Sequence, residues 1–183
     1  MRYLVTGGRG VIGSIFARRL VREGHQVTIV DDGDDPRHLA NSFEGPSYHA
    51  ERLERMSLDR LTGLVASSDR VFHAAASTGI PYSAEQPLDD WRRNVDGTLA
   101  LLEALRREPR PTVVLSSVKP YDLSEIIVGG VDERFCLHAD EPYAASKGAQ
   151  SLICQAYASS YGIPITVFRC SNLWGPACPH GAR

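Results

Sequence analysis

The chain has 183 residues, 43% of them apolar and 23% charged, enough for one domain with a sizeable core. Its net charge of −2, with arginines interleaved among Asp and Glu, offers nucleic acid or an anionic membrane no basic surface. No run approaches the ~18 apolar residues of a membrane span, and no signal peptide precedes the first expected strand. Cys136, Cys154, Cys170 and Cys178 lack CxxC spacing and an accompanying His cluster. They are expected to be reduced thiols of a cytoplasmic protein, with no metal site and no disulfide framework.

In chain order, Arg2–Thr6 is a short apolar run suited to a buried parallel strand. Val11–Glu23 follows as a helix with Ile12, Ile15, Phe16 and Leu20 on one face and Gly24 as its stop. Gln26–Val30 reads as the second strand, Ser47–His49 as a weak third, Ser57–Val65 as a helix and Arg70–Ala75 as the fourth strand. Leu88–Arg107 reads as one long helix ended by Pro109 and Pro111, and Thr112–Ser116 as the fifth strand. Tyr143–Tyr161 is a helix stopped by Gly162 and Pro164, and Ile165–Arg169 is the sixth strand. Strands alternating with helices imply an α/β protein with a doubly wound parallel sheet, the Rossmann arrangement. Two irregular stretches, 32–46 and 119–141, are long enough to be functional.

Gly7, Gly10 and Gly13 lie between the first strand and the first helix, spaced G-x-x-G-x-x-G. The first glycine permits the tight turn, the second a close approach to a diphosphate, and the third close helix–strand packing. Backbone N–H groups from about Arg9 to Ile12, including Val11, would face the phosphates at the positive end of the helix dipole. Asp31 follows the second strand, 18 residues after Gly13, where a carboxylate can hold a ribose 2′-hydroxyl. With Asp32, Asp34 and Asp35 beside it, a 2′-phosphate would be repelled, so NAD is expected; Arg37 keeps NADP as the alternative.

Tyr143 and Lys147 are separated by one helical turn and so share a face. A tyrosine, with its ordinary pKa of about 10, is a poor base at neutral pH. A neighbouring ammonium would favour the phenolate and bring it into the range of general acid–base work. The lysine could also hold a nicotinamide ribose. Ser116 and Ser117, at the end of the fifth strand, are candidates for a third, hydroxyl-bearing member.

These residues resemble the extended short-chain dehydrogenase/reductase family, specifically its NAD-dependent nucleotide-sugar epimerases and dehydratases. Thr6-Gly-Gly-Arg-Gly-Val-Ile-Gly13 resembles TGxxGxxG, and Tyr143 with Lys147 matches YxxxK. Ser83–Pro87 and Asn94–Thr98 resemble S-x-x-x-P and N-V-x-G-T, and Arg169–Pro176 resembles R-x-x-N-x-x-G-P. The resemblance implies that Ala74, Ala75 and Ala76 line the cofactor, together with Cys170. It also implies that Asn94 organises the site, that Asn172 reaches the substrate diphosphate, and that Ser117 is the catalytic hydroxyl because it lies four residues before Tyr121. His73 is expected to be a strand-end residue without a chemical role.

The implied chemistry is internal redox on a UDP- or dTDP-sugar, through a 4-keto intermediate. Departures bear on which outcome follows. Val118 and Lys119 stand where the family's dehydratases carry Asp and Glu, which favours a 4-epimerase; dehydratase and keto-sugar reductase are the alternatives. Arg52-Leu53 stands where the family often holds adenine with Asp and an aliphatic residue, leaving Leu53 to offer its backbone. Residues 1–176 are expected to form the dinucleotide-binding domain and 177–183 the start of a missing or truncated substrate domain. A homodimer, or a complex supplying the missing walls, is the expected assembly; Leu99, Leu102, Leu105, Leu152 and Ile153 are the candidates for pairing, with ordinary core as the plainer reading of the leucines. A cofactor-binding module that is inactive alone is the alternative of another class.

Overall fold

A computed structural model describes residues 1–33, 43–121 and 132–173. Its strands are β1 (Arg2–Thr6), β2 (Gln26–Asp31), β3 (Ser47–Ala50), β4 (Arg70–His73), β5 (Thr112–Ser117) and β6 (Ile165–Cys170). All pair in parallel, in the order β3-β2-β1-β4-β5-β6. The order reverses between β1 and β4, and ligands of such sheets bind beyond the carboxyl ends of the strands at that point. Thr6 is in register with Val30 on one side and His73 on the other, so three strands end level there.

The helices are α1 (Val11–Arg22), α2 (Leu58–Ala66), α3 (Ile80–Glu85), α4 (Pro87–Trp91), α5 (Gly97–Arg107) and α6 (Pro142–Tyr161). Strand side chains alternate between faces. Leu4, Val30, Val71 and Val114 pack with Leu61, Val65, Leu101, Leu102, Leu105 and Cys154 of α2, α5 and α6. Val5, Val27 and Ile29 pack with Ala17 and Leu20 of α1, with Phe16 and Phe72 alongside. Each fully buried large apolar side chain contributes about 1.5–3 kcal/mol. Gly24 (φ +80°) and Gly162 (φ +66°) end α1 and α6 in the left-handed conformation that glycine adopts cheaply.

Gly7 has φ +68°, and a Cβ there would lie 2.5 Å from the Ala75 nitrogen. A Cβ at Gly13 would lie 2.1 Å from the Gly7 carbonyl oxygen. The turn therefore closes only because neither residue has a side chain.

Three expectations are corrected. The single helix over 88–107 is instead α4, a π turn at Arg92–Asp96, and α5. The fourth strand ends at His73 rather than Ala75, because the chain then passes over Gly7, with Ala74 N–H donating to the Thr6 carbonyl at 2.9 Å. Leu102 and Leu105 are fully buried in their own core and have no surface to give a partner, whereas Leu99 and Leu152 are exposed. The sequence reading also passed over α3. Asp34, Asp35, Arg37, the Trp174–Pro176 part of the last motif, Cys178 and the boundary at 176 lie outside the described residues.

Gly13→Ala is expected to lower stability by about 2–4 kcal/mol, since backbone must move to admit the methyl group. Denaturant unfolding checks this; an unchanged midpoint would contradict the close approach.

Candidate active site

The first turn of α1 is built to receive an anion. Its N-cap, Gly10, makes no side-chain capping bond, and the turn contains no acidic residue. The N–H groups of Val11 and Ile12 therefore sit at a helix start where intrahelical acceptors are lacking. Gly10 N–H closes the turn on the Gly7 carbonyl at 3.1 Å. The Asp31 carboxylate, at the end of β2, accepts from Arg9 N–H at 2.8 Å and from Gly33 N–H at 3.4 Å. A carboxylate at the end of the second strand stands where a ribose 2′-hydroxyl would be held. Ala74 and Ala75 flank Gly7, and Ala76 continues the same segment. This uncapped cradle with a carboxylate at its far end fits a dinucleotide.

Beyond Asp31 an ion-pair network occupies the expected adenine end. Arg93 pairs with Asp32 and, at 2.6 Å, with Asp89. Asp89 also accepts from Arg52 at 2.8 Å and from the Tyr82 hydroxyl at 2.6 Å. Burial opposes ionisation of Asp89, but hydrogen bonds from Tyr82, Arg93 and Arg52 outweigh it and hold the carboxyl well below its ordinary range. Arg52, which stands at the position of the family's Asp, is thus committed to Asp89 and Glu54. Leu53 is 4% exposed, its side chain is in the core and its carbonyl accepts from Met56 N–H at 3.2 Å.

The two serines of β5 point to opposite faces and separate cleanly. Ser116 Oγ donates to the Lys147 carbonyl at 3.1 Å and meets Ser151 Oγ at 2.8 Å, strapping β5 to α6. Ser117 Oγ accepts from Lys119 N–H at 3.1 Å and lies near the Tyr143 phenol, where it favours the ionised form. Cys170 is in register with Ser117 on β6, and Asn172 is exposed just beyond it. The Tyr143 phenol is nevertheless raised above its ordinary pKa. Burial is the main cause, the nearby Asp90 and Glu141 add to it, and Ser117 opposes it. Lys147 is not among the groups that shift the phenol; its Nζ donates to the Leu115 carbonyl at 2.9 Å. Lys147 is 3% exposed, and burial pushes its ammonium down to about 8 against opposition from Cys154, Asp90 and Cys170.

Behind this pair lies a buried polar seam. Asn94, in the π turn, donates to Ser146 Oγ at 2.9 Å and to Asp90 Oδ1 at 3.2 Å, and accepts from Ser77 N–H at 2.8 Å. Ser146 Oγ donates to Asp90 Oδ2 at 2.6 Å. A second chain joins it to the glycine turn: Thr6 Oγ1 to His73 Nδ1 at 2.6 Å, and His73 Nε2 to Thr98 Oγ1 at 2.9 Å. The Thr98 hydroxyl gives its one proton to the Asn94 carbonyl at 2.6 Å. It must therefore accept from His73, which assigns the Nε2–H tautomer. Burial, then the Lys147 charge, pushes His73 down to about 3, so it serves as a neutral pin between β1, β4 and α5.

Sequence reasoning missed Asp90 and Ser146. Their signal was available: Asp90, Asn94, Thr98, Leu101 and Leu105 recur at helical spacing, so the periodicity already turned Asp90 towards the core. Among the described residues no helix is long and apolar enough to cross a membrane, and no group of three His, Cys, Asp or Glu is placed to hold a metal.

His73 makes a pH prediction. Its folded pKa lies below the unfolded value of about 6.5, so between these values the unfolded chain binds the extra proton. Stability should therefore fall as pH drops below about 6.5, by up to about 1.4 kcal/mol per unit from this group. Urea unfolding of wild type and His73→Gln as a function of pH checks it: the variant should show a shallower acid slope.

Residues 3–183 match the family described as the NAD dependent epimerase/dehydratase family. A dTDP-glucose 4,6-dehydratase of Streptomyces niveus is 34% identical over 96% of this chain and 55% of its own length. Among solved structures, a UDP-glucose 4-epimerase of Thermotoga maritima, crystallised with UDP-glucose, superposes with TM-score 0.89 at 26% identity, over 99% of this chain and 59% of that one. A UDP-glucose 4-epimerase of Thermus thermophilus, solved with NAD, gives TM-score 0.77 at 28% identity, over 97% and 59%. The chain thus spans little more than half the length of the relatives it matches.

Proposed function

Because the chain belongs to the NAD dependent epimerase/dehydratase family, we propose that the protein acts on a UDP- or dTDP-sugar as a 4-epimerase through a transient 4-keto sugar. The observation that carries this reading is the meeting of Ser117, Tyr143 and Lys147 at the carboxyl end of β5. NAD, when bound, supplies reversible hydride acceptance. Gly7, Gly10, Val11, Ile12 and Gly13 hold its diphosphate, Asp31 the adenosine ribose, and Ala74–Ala76 line its path with Cys170.

Ser117 Oγ donates to the sugar 4-oxygen and polarises it. As the phenolate, which the positive charge of an oxidised nicotinamide would favour against the burial that raises its pKa, Tyr143 takes the 4-hydroxyl proton and returns it after the sugar has turned, which is general acid–base catalysis by one group. Lys147 spends one of its three N–H donors on Leu115, leaving two for a ribose hydroxyl. Asn172 reaches the diphosphate of the substrate. Val118 and Lys119 offer no acid–base pair for water loss, which supports epimerisation. One observation favours a dehydratase: Glu141 Oε2 is buried with no hydrogen-bond partner among the described residues, and burial raises the pKa of this carboxyl beside Tyr143. The exposed Leu99 and Leu152 support pairing of two copies.

Tyr143→Phe should bind NAD as wild type does and lose about 10²–10⁴-fold in turnover of nucleotide sugars. Product mass decides between the outcomes: an unchanged mass supports epimerisation and loss of one water the dehydratase. A phenylalanine variant with full turnover overturns the mechanism.

A further inference from the structure

Asp90 is fully buried, and the steps above give it no task. Its two oxygens accept from Ser146 and Asn94, at 2.6 and 3.2 Å, from the helix that bears Lys147 and from the π turn. A neutral acceptor could take the same two hydrogen bonds. A buried carboxylate instead incurs a desolvation cost of several kcal/mol, which close geometry only partly offsets. What the charge adds is a fixed negative potential on the groups around it. From α6 these are Tyr143 and Lys147, with Glu141 at its N-cap. Cys154 of α6, His73 of β4 and Cys170 of β6 face Lys147 from the other sides, and Lys119 faces Glu141. His73 is neutral and both thiols are on the uncharged side of their titration. Asp90 thus shares a hydrogen-bonded seam with the helix that carries Tyr143 and Lys147.

We propose that Asp90 is a positioning residue for the redox reaction, a buried carboxylate tied through Ser146 and Asn94 to the helix that carries Tyr143 and Lys147. The role rests on the redox reading given above. Asp90 favours the proton on both Lys147 and Tyr143, so it sets where the acid and base limbs of the reaction fall.

The test is Asp90→Asn, which keeps the shape and removes the charge. Tyrosines labelled with ¹³C at the ring carbon bearing the hydroxyl, with Tyr143→Phe for assignment, report the Tyr143 titration by NMR without any turnover. In Asp90→Asn the Tyr143 signal should titrate at lower pH than in wild type. Both limbs of the pH profile for sugar-driven turnover should move to lower pH, with NAD affinity within about twofold. A folded variant whose Tyr143 titration stays where it is in wild type overturns the proposal and leaves Asp90 as a packing acceptor. If the amide variant does not fold, Asp90→Ser, also neutral, takes its place. If wild type turns over no nucleotide sugar, the redox reading fails, and the NMR titration still decides the role of the Asp90 charge.

Discussion

The buried ammonium of Lys147 is the constraint on which the site depends. A charge at 3% exposure is tolerable only if the protein replaces its water. The Leu115 carbonyl does so, accepting from Nζ at 2.9 Å. That bond ties α6 to the end of β5, and Ser116 and Ser151 close the same contact. Once that helix is fixed, Tyr143 stands one turn earlier beside Ser117. The placing of Tyr143 beside Ser117 thus follows from solvating one lysine.

The cofactor end is set by a constraint of another kind, the absence of side chains. Gly7 and Gly13 let α1 begin against the end of β1 and let the chain after β4 pass over the turn. A line of hydrogen bonds joins the two ends: Thr6 to His73, His73 to Thr98, Thr98 to the Asn94 carbonyl, and the Asn94 side chain to Ser146. The π turn makes this line possible, because one extra residue in the helix presents the Asn94 amide to α6 while Thr98 still reaches its carbonyl. Such turns recur at functional sites.

Much of this was legible in the sequence because it rests on local rules. Strand–helix alternation, the glycine spacing, the stops at Gly24 and Gly162, and the Tyr–Lys spacing each depend on a few neighbouring residues. What was not legible depends on residues far apart in sequence. The π turn leaves the apolar period of 88–107 nearly intact, so the pattern reads as one helix. Residues alone left Ser116 and Ser117 level; strand alternation and the reach of Ser151 separate them. The raised Tyr143 pKa arises from burial by elements dozens of residues away, and the direction of Lys147 from a carbonyl on β5. Arg52 looked like the loss of an adenine contact, whereas Asp89 and Glu54 turn it into part of a local ion-pair network.

In the proposed reaction hydrogen leaves the sugar C4 and returns to it while Tyr143 moves the 4-hydroxyl proton. The most direct measurement is to supply a UDP- or dTDP-hexose deuterated at C4 and follow the label by NMR and mass spectrometry. Deuterium retained at C4 of the epimer, and found on the cofactor of quenched reactions, is the expected result. Epimer formed with the label lost to water, or with none ever on the cofactor, would contradict it.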